Sequence, residues 1–237
     1  MKIALVGYGK MGKEIEQMAI SRGHEIVFKT SVGLTSETVA IKEADVAIEF
    51  SRPDAAVNNI LLCIQFGVPV VIGTTGWYNR LDEVKIETNS NKGAILYSTN
   101  FSIGVNVLFH MNKMLASIMD KLDEYTPSMK EIHHVHKLDK PSGTAITIAE
   151  GIIDEIARLD SWAIDHEKEA NDVLNIDVER TDEVPGTHTI KYESEIDIIE
   201  MTHIAKNRKG FALGAVKAAE WLVGKQGVYT MKDFLKF

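Results

Sequence analysis

Several features that indicate disulfide-rich, membrane or secreted proteins are scarce or missing in this sequence of 237 residues. The one cysteine, Cys63, cannot form an internal disulfide, and its apolar surroundings favour a buried, inert thiol. No segment approaches the roughly 20 consecutive apolar residues of a transmembrane helix. The apolar run after Lys2 stops at Lys10, which is too short for the core of a secretory signal. We therefore expect a cytoplasmic protein that does not bind membranes.

An excess of basic residues is also missing. The chain has 26 lysines and arginines against 34 aspartates and glutamates, a formal net charge of -8. This balance argues against nucleic acid as a partner, because phosphate backbones are held by broad basic surfaces. If the ligand is an anion, the cations that receive it must be gathered locally. The hydrophobic content of 45% is sufficient for the core of one large or two small domains.

The segment 1–103 alternates short β-branched runs with amphipathic stretches. Strands are predicted at 2–6, 24–28, 45–50, 68–72 and 94–97, and helices at 11–22, 53–66 and 81–89. This order predicts an α/β domain with a parallel sheet and helices on both of its faces.

The pattern changes near residue 103. Helices are predicted at 105–122, 144–159 and 212–223, and strands at 129–136, 187–192 and 196–203. The polar segment 160–185 is predicted to be a loop. We infer a second, smaller α+β domain from this change.

A glycine-rich segment near the start of the chain fits the pattern G-x-G-x-x-G, with Gly7, Gly9 and Gly12 as its glycines. It lies between a predicted strand and a predicted helix, which is the context that a dinucleotide-binding loop requires. Gly7 permits the tight turn, Gly9 lets the backbone approach the pyrophosphate, and Gly12 lets the helix pack on the strand. Lys10 and Met11 begin the helix and are expected to contact the cofactor. The alternative is a tight turn with only a structural role.

The end of the second predicted strand indicates which nicotinamide cofactor is used. A site that prefers NADH usually has an acid about 20 residues beyond the glycines, where it binds the ribose hydroxyls. Here the segment 28–31 reads F-K-T-S and contains no acid. Lys29 and two hydroxyls suit a 2′-phosphate, so we expect NADPH to be preferred and NADH to be accepted. Alternatively, Lys29 is only a solvated charge.

Histidines and a lysine gather in the segment 131–137, E-I-H-H-V-H-K, at the end of a predicted strand. Alternation along a strand would place His133 and Lys137 on one face, and His134 and His136 on the other. The first pair could then share a pocket. Two alternatives are a zinc site made by the three histidines and a plain surface strand.

The predicted helix that follows begins at Ser142, Gly143 and Thr144. Serine is typical of a helix N-cap, and the N–H groups of Gly143 and Thr144 would then point beyond the helix start. With Lys137 nearby, this arrangement predicts a site for a carboxylate. A histidine beside it can donate a hydrogen bond or a proton near neutral pH.

The segment 131–145, E-I-H-H-V-H-K-L-D-K-P-S-G-T-A, resembles the signature of the dihydrodipicolinate reductase family, E-x-H-H-x-x-K-x-D-x-P-S-G-T-A. Other blocks that resemble this family occur in its order. They are the glycine loop, Phe50 to Pro53, Ile72 to Gly76, Asn100 to Asn106, Thr202 with His203, Arg208, Phe211, and Gly214 to Val216.

The resemblance implies a Rossmann-type domain, formed by residues 1–103 and 211–237, and a smaller α+β domain with a mixed sheet, residues 104–210. The second domain would bind the substrate and form a homotetramer through its sheet. The implied reaction is the reduction of dihydrodipicolinate, supplied as 4-hydroxy-tetrahydrodipicolinate, to tetrahydrodipicolinate on the diaminopimelate route to lysine. NADPH or NADH would be the reductant, and no metal is implied.

The resemblance also implies roles for individual residues. His133 and Lys137 would be catalytic. The substrate, a small cyclic dicarboxylate, would be bound by His134, Lys137, Ser142, Gly143 and Thr144. Beyond the glycine loop and Lys29, the cofactor would be contacted by Gly73, Thr74, Thr75, Asn100, Phe101, Arg208 and Phe211.

Hydride addition to the unsaturated ring leaves an enamine that needs a proton, and we expect Lys137 to donate it with His133 as its partner. Two other functions are compatible with the same two-domain plan. One is a nicotinamide-dependent dehydrogenase for an open-chain amino acid such as aspartate. The other is a non-catalytic NADPH sensor.

Overall fold

The computed structural model describes residues 1–167, 170–207 and 209–237. The chain divides into two compact units. The first comprises Met1–Ile103 and Lys209–Phe237, and the second comprises Gly104–Arg208. Among the described residues, no helix combines the length and apolar character needed to cross a lipid bilayer.

The first unit is built on a six-stranded parallel sheet of order β11-β5-β4-β3-β1-β2. Its strands are β1 Lys2–Val6, β2 Glu25–Thr30, β3 Val46–Glu49, β4 Val70–Ile72, β5 Ala94–Tyr97 and β11 Gly227–Thr230. Its helices are α1 Lys10–Ser21, α2 Pro53–Gln65, α3 Leu81–Ser90, α6 Lys209–Leu222 and α7 Met231–Leu235. Short 3₁₀ turns occur at Val39–Glu43 and Tyr78–Arg80.

Helices cover both faces of this sheet because its strands are apolar on both faces. In β1, Ile3 and Leu5 pack into the cluster that includes α1 and α6, whereas Ala4 and Val6 pack into the cluster that includes α2. Successive side chains of a strand point to opposite faces, and a continuous apolar run is typical of a buried parallel strand. The predicted Rossmann-type parallel sheet is confirmed.

The second unit is built on a five-stranded mixed sheet of order β10-β9-β6-β8-β7. Its strands are β6 Thr126–His133, β7 Ser161–Ile164, β8 Val173–Arg180, β9 Thr187–Glu193 and β10 Ile198–Ile204, and its helices are α4 Ile103–Met119 and α5 Gly143–Ile153. The pairs β6/β9 and β9/β10 are antiparallel, and β6/β8 and β7/β8 are parallel. The two helices and one face of the sheet form the apolar core of this unit. The predicted α+β architecture is confirmed.

The prediction of a loop at 160–185 was wrong. This segment contains two strands, β7 at Ser161–Ile164 and β8 at Val173–Arg180. Leu174 and Ile176 are fully buried and alternate with polar residues, as a half-buried strand requires. The many acidic side chains of this segment obscured that alternation. The closing β11 and α7 were also missed.

Candidate active site

The glycine loop joins β1 to α1, and its geometry depends on two close backbone contacts. Gly7 has a φ of +99°, and a Cβ there would lie 2.1 Å from the carbonyl oxygen of Phe50. A Cβ on Gly12 would lie 2.4 Å from the carbonyl oxygen of Gly7. Gly9 differs, because a Cβ there would meet no described heavy atom within 4 Å. The loop is tight at its two ends and leaves open space in front of Gly9, at the start of α1.

A cleft of about 360 Å³ opens beside this loop. It is lined by the loop after β1, the segment after β3 and the segment after β4, namely Gly9, Lys10, Met11, Phe50, Ser51, Pro53, Gly73, Thr74 and Thr75. Strands β1 and β3 are neighbours from which the chain proceeds in opposite directions across the sheet. Ligands of open parallel sheets bind at this kind of switch point, outside the carboxyl ends of the strands. The cleft, with open backbone at a helix N-terminus, fits the pyrophosphate of a dinucleotide.

Hydrogen bonds fix the wall of the cleft. The Ser51 N–H donates to Thr74 Oγ1 at 2.7 Å, and the Trp77 indole N–H donates to the Thr74 carbonyl at 2.8 Å. Behind them lies Glu49, which is fully buried and accepts hydrogen bonds from the Ser51 hydroxyl and the Asn59 amide. Burial raises the pKa of Glu49, although these hydrogen bonds act in the opposite direction. Sequence reasoning missed Glu49, whose signal is an acid that ends an otherwise apolar buried strand.

Lys29 lies at the end of β2, but it is not the isolated cation that the sequence suggested. Its Nζ is 2.9 Å from Glu16 Oε1 and 4.6 Å from the centroid of the Tyr8 ring. The Tyr8 hydroxyl also donates to Glu16. Hydrogen bonds from Tyr8 and Lys29 lower the pKa of Glu16, and the bond to Glu16 raises the pKa of Lys29. Helix α1 therefore places a carboxylate at the strand end where β2 itself has none.

Three of the remaining predicted cofactor residues, Asn100, Phe101 and Phe211, lie on α6 or in the segment that packs against it. The Phe101 side chain is only 2% exposed and packs against Phe50, with ring centroids 5.7 Å apart, so only its backbone is available to a ligand. Asn100 is buried, and its side-chain oxygen accepts from the Ser102 N–H at 2.8 Å. Phe211 lies in the first turns of α6 and is half-buried. Arg208 lies outside the described residues.

In the second unit, β6 ends at His133 rather than at residue 136. The argument from strand alternation was therefore wrong, because Lys137 is not on the strand. A turn follows instead, in which the Lys137 N–H donates to the His134 carbonyl at 3.1 Å. The Lys137 ammonium donates to the carboxylate of Asp139 at 2.8 Å and 2.9 Å. The charge of Lys137 contributes to lowering the pKa of His133, so the ammonium acts on this ring from the turn and not from the strand.

The tip of β6 is surrounded by a buried polar cluster that sequence reasoning missed. Glu131 is fully buried, and both of its carboxylate oxygens accept from the Ser142 N–H at 3.1 Å. Arg180, from β8, donates to Glu131 at 2.8 Å. His133 Nδ1 and His188 Nε2 lie 3.5 Å and 3.8 Å from the same carboxylate. Strand pairing explains this arrangement, because Arg180 is in register with His133, and His188 with Glu131.

Burial makes the two histidines of this cluster weak bases. It lowers the pKa of His133 to about 4, with help from the charges of Lys137 and Arg180 and against the attraction of Glu131. Burial also lowers the pKa of His188 to about 4. Both rings are therefore neutral at neutral pH, and they can donate or accept hydrogen bonds without carrying a charge. Lys137 and Arg180 are the cations next to them.

Helix α5 begins where the sequence predicted. The hydroxyl oxygen of Ser142 accepts from the Ala145 N–H at 3.1 Å, which confirms the N-cap. Gly143 is exposed, and a Cβ on it would meet no described heavy atom within 4 Å. Thr144 follows and is half-buried. The first turn of an α-helix presents N–H groups and a positive dipole end, which attract a carboxylate.

The three histidines at 133, 134 and 136 do not form the metal site that was one alternative. Among the described residues, the donor groups close enough to share an ion are those of Glu131, His133 and His188, all within 4.8 Å. Arg180 already supplies a positive charge 2.8 Å from Glu131. A second cation would be repelled there, so the geometry favours a cluster of protein charges over a metal centre.

Comparison with known proteins agrees with this geometry. The family model described as dihydrodipicolinate reductase, N-terminus, matches residues 1–101, and the one described as dihydrodipicolinate reductase, C-terminus, matches residues 104–235. This chain belongs to the dihydrodipicolinate reductase family. Within this family it is 48% identical to the 4-hydroxy-tetrahydrodipicolinate reductase of Christiangramia forsetii, over 99% of this chain and 98% of the relative. The enzyme of the same name from Neisseria meningitidis serogroup B is 31% identical, over 93% of this chain and 83% of the relative.

Solved structures support the fold. A dipicolinate-bound dihydrodipicolinate reductase from Paenisporosarcina sp. TG-14 superimposes with a TM-score of 0.81 at 23% identity, and the match covers 97% of each chain. An engineered D-amino acid dehydrogenase bound to NADP+ has a TM-score of 0.51 at 16% identity, covering 97% of this chain and 92% of the other. The fold is thus shared with the Paenisporosarcina structure and, more loosely, with the engineered D-amino acid dehydrogenase.

Proposed function

We propose that this chain reduces 4-hydroxy-tetrahydrodipicolinate to tetrahydrodipicolinate with NADPH or NADH, on the diaminopimelate route to lysine. The observation that carries the proposal is the meeting, at the tip of β6, of the Lys137 turn and the capped start of α5. Two curated relatives named 4-hydroxy-tetrahydrodipicolinate reductase, at 48% and 31% identity, support this reaction.

The substrate is a small ring with two carboxylates, and the cations and N–H groups of the second unit suit it. We assign its carboxylates to Lys137, His134 and the start of α5 at Ser142, Gly143 and Thr144. A cation and a helix N-terminus both favour an anion, and they act together when they converge. The dipicolinate bound to the structural neighbour is a ring of the same class.

The cofactor is assigned to the cleft of the first unit, with its pyrophosphate at the glycine loop and its nicotinamide end toward Gly73, Thr74 and Thr75. When bound, the nicotinamide supplies a hydride to the ring. We propose that NADPH is preferred and NADH accepted, since Lys29 offers a 2′-phosphate a cation but shares that charge with Glu16.

We propose different roles for Lys137 and His133 in the protonation of the ring. The hydroxylated ring loses water, and the dihydropyridine form gains a hydride on one ring atom and a proton on another. The ammonium of Lys137 has three N–H donors, and it donates one proton to the ring. His133 is neutral there, so its part is to orient the ring or Lys137 by a hydrogen bond. Holding both reactants in one complex removes the entropy cost of their encounter.

We further propose that the enzyme works in the cytoplasm as a homotetramer joined through the sheet of the second unit. Strand β10 lies at the edge of that sheet and exposes Ile198, Ile199 and Ile204. Exposed apolar residues on an edge strand are typical of a surface that pairs with another chain.

A coupled assay tests the function. Purified protein receives NADPH or NADH together with the product of dihydrodipicolinate synthase, and cofactor oxidation is followed by absorbance. Oxidation that depends on the synthase product is expected with both cofactors. Oxidation is not expected with an open-chain substrate, since the cation and the helix start suit two carboxylates on one ring. In a second assay, reduction of NADP+ or NAD+ by aspartate would indicate the amino acid dehydrogenase, and no activity in either assay would indicate the sensor.

Lys137→Ala supplies the mechanistic control for this assay. Its turnover number should fall by about 10²-fold or more, because the proton donor is lost. NADPH affinity should stay near that of the unmodified protein. Lys140→Ala removes an exposed lysine three positions further on in the same loop and should leave turnover unchanged. Normal turnover in Lys137→Ala would remove Lys137 from the mechanism.

A further inference from the structure

Two buried charges in the second unit have no part in the proposed chemistry. Glu131 is fully buried, and the Arg180 side chain is 10% exposed. Burial alone would raise the pKa of Glu131, but hydrogen bonds from Ser142 and Arg180 outweigh it and hold this pKa below its ordinary value. The carboxylate is therefore charged at neutral pH. Buried ion pairs contribute little net stability in general, so their retention calls for another explanation.

Arg180 holds the loop that carries Lys137. Besides Glu131, its guanidinium donates to the carbonyl of Asp139 at 2.6 Å and to the carbonyl of Lys137 at 3.4 Å. A third bond, at 2.9 Å, reaches the carbonyl of Glu179 on its own strand. One rigid planar group therefore fixes the backbone of the loop to the end of β8. A lysine could not reproduce this, because its ammonium lacks the fork of donors.

Glu131 binds the far end of this loop, at Ser142. Its two oxygens receive the Ser142 N–H, and Ser142 is the residue that caps α5. The ion pair thus connects the Lys137 turn to the start of α5. These are the two places where the carboxylates of the substrate are proposed to bind.

We propose that Glu131 and Arg180 are positioning residues that set the separation between the Lys137 turn and the start of α5, and thereby select a ring bearing two carboxylates. This inference rests on the proposed function of the same site. Neither residue needs to touch the substrate, since both act through the backbone that they bind.

The pair also faces His133. The charged and titratable groups around this ring are Glu131 on β6, Arg180 on β8, His188 on β9, and Lys137 and Asp139 on the loop. Glu131 is the largest influence that favours protonation of His133, and it opposes burial and the two cations. Removing its charge should lower the pKa of His133 further below about 4. This shift would report the proximity of the two groups, whereas hydrogen exchange reports the position of the loop.

Arg180→Lys, Arg180→Met and Glu131→Gln test the proposal. Each variant that folds should bind NADPH as the unmodified protein does, because the glycine loop lies in the other unit. In each, kcat/KM for the ring substrate should fall by about 10²-fold, with KM raised and kcat lowered, since misplacement of about 1 Å can have that effect. Amide hydrogen exchange across residues 137–142 should become faster. In Glu131→Gln, the His133 ring should titrate at a lower pH by NMR.

Arg158→Met is the matched control. Arg158 lies in the same unit and donates to two backbone carbonyls, those of Asp120 and Tyr125, away from the β6 tip. Its loss should lower the melting temperature and leave kcat/KM and the exchange of residues 137–142 unchanged. Variants of Arg180 and Glu131 that behave like Arg158→Met would overturn the inference. If Arg180→Met does not fold, Arg180→Lys and the isosteric Glu131→Gln test the positioning role in its place.

The outcomes separate this inference from the function on which it rests. An unmodified protein that fails to oxidise NADPH with the ring substrate contradicts the proposed function. An active unmodified protein with unaffected variants contradicts only the positioning role. Hydrogen exchange needs no substrate, so unchanged exchange across residues 137–142 would overturn the positioning role even for an inactive protein.

Discussion

The Lys29 ammonium already has an acidic partner in Glu16, and we propose that this pair sets how strongly the first unit distinguishes the two nicotinamide cofactors. A 2′-phosphate competes with Glu16 for the same cation, whereas a 2′-hydroxyl does not need the cation. The Lys29 side chain is 49% exposed, so solvent screens the competition and its effect should be modest.

Glu16→Gln should therefore strengthen NADPH binding relative to NADH by roughly threefold, because Lys29 no longer shares its charge. Lys29→Met should weaken NADPH binding and leave NADH nearly unchanged. Fluorescence titration of both cofactors measures these ratios. Glu14→Gln removes the same charge from another position of α1 and should change neither affinity. If NADPH gains nothing in Glu16→Gln, the ion pair does not control the preference.

The separation of residues along the chain explains which of them could be predicted. The glycine loop and the Ser142 cap depend on neighbours within a few positions, and both patterns were visible in the sequence. Glu16 meets Lys29 across 13 positions, and Arg180 meets Glu131 across 49. Such pairs form only when strands or a helix bring them together. A single sequence contains no signal for them.

At the scale of elements, errors arose where polar residues interrupt or extend a strand. Strand β8 was missed because its exposed face is strongly charged, and β6 was extended past His133 because the histidines continued its pattern. The turn after His133 matters for the proposed mechanism. It lets Lys137 approach His133 from a loop whose position is fixed by Arg180, and not by the register of the sheet.

The start of α5 offers a test at the same scale. Gly143 has no described neighbour within 4 Å of the position of a Cβ, so Gly143→Leu should fold normally. Its side chain would instead occupy the space in front of the helix that we assign to a substrate carboxylate. Loss of a hydrogen bond to a charged group should raise KM by about 10- to 100-fold, with NADPH affinity unchanged.

Steady-state kinetics with the ring substrate measure that effect. Glu150→Leu adds the same side chain to an exposed position of α5, seven residues further on, and should leave KM unchanged. The KM of Gly143→Ala should lie between those of Gly143→Leu and Glu150→Leu. An unaltered KM in Gly143→Leu would place the carboxylates elsewhere.

For the whole molecule, the division into two units places the glycine loop and the Lys137 turn in different bodies. The first unit is formed by both ends of the chain, with α6 and β11 returning to the sheet that β1 begins. A change of pattern near residue 103 was visible in the sequence. The sequence did not reveal that β11 returns to this sheet, because a four-residue strand is too short to show a recognisable periodicity.

The exposed edge of the second unit bears on the assembly of the whole molecule. Ile198 and Ile199 are 52% and 38% exposed on β10, and burying them against another chain would remove this apolar surface from water. We expect a native mass about four times the 26.3 kDa of one chain. Ile198→Lys combined with Ile199→Lys should reduce it to that of a dimer or monomer, because each ammonium would be desolvated at the contact.

Light scattering coupled to gel filtration measures these masses. Ile86→Lys is the matched control, since Ile86 is 64% exposed on α3 of the first unit and should not affect assembly. The double variant should still bind NADPH, because the glycine loop does not depend on β10. A monomeric unmodified protein at micromolar concentration would rule out the tetramer, and an unchanged mass in the double variant would assign the contact to another surface.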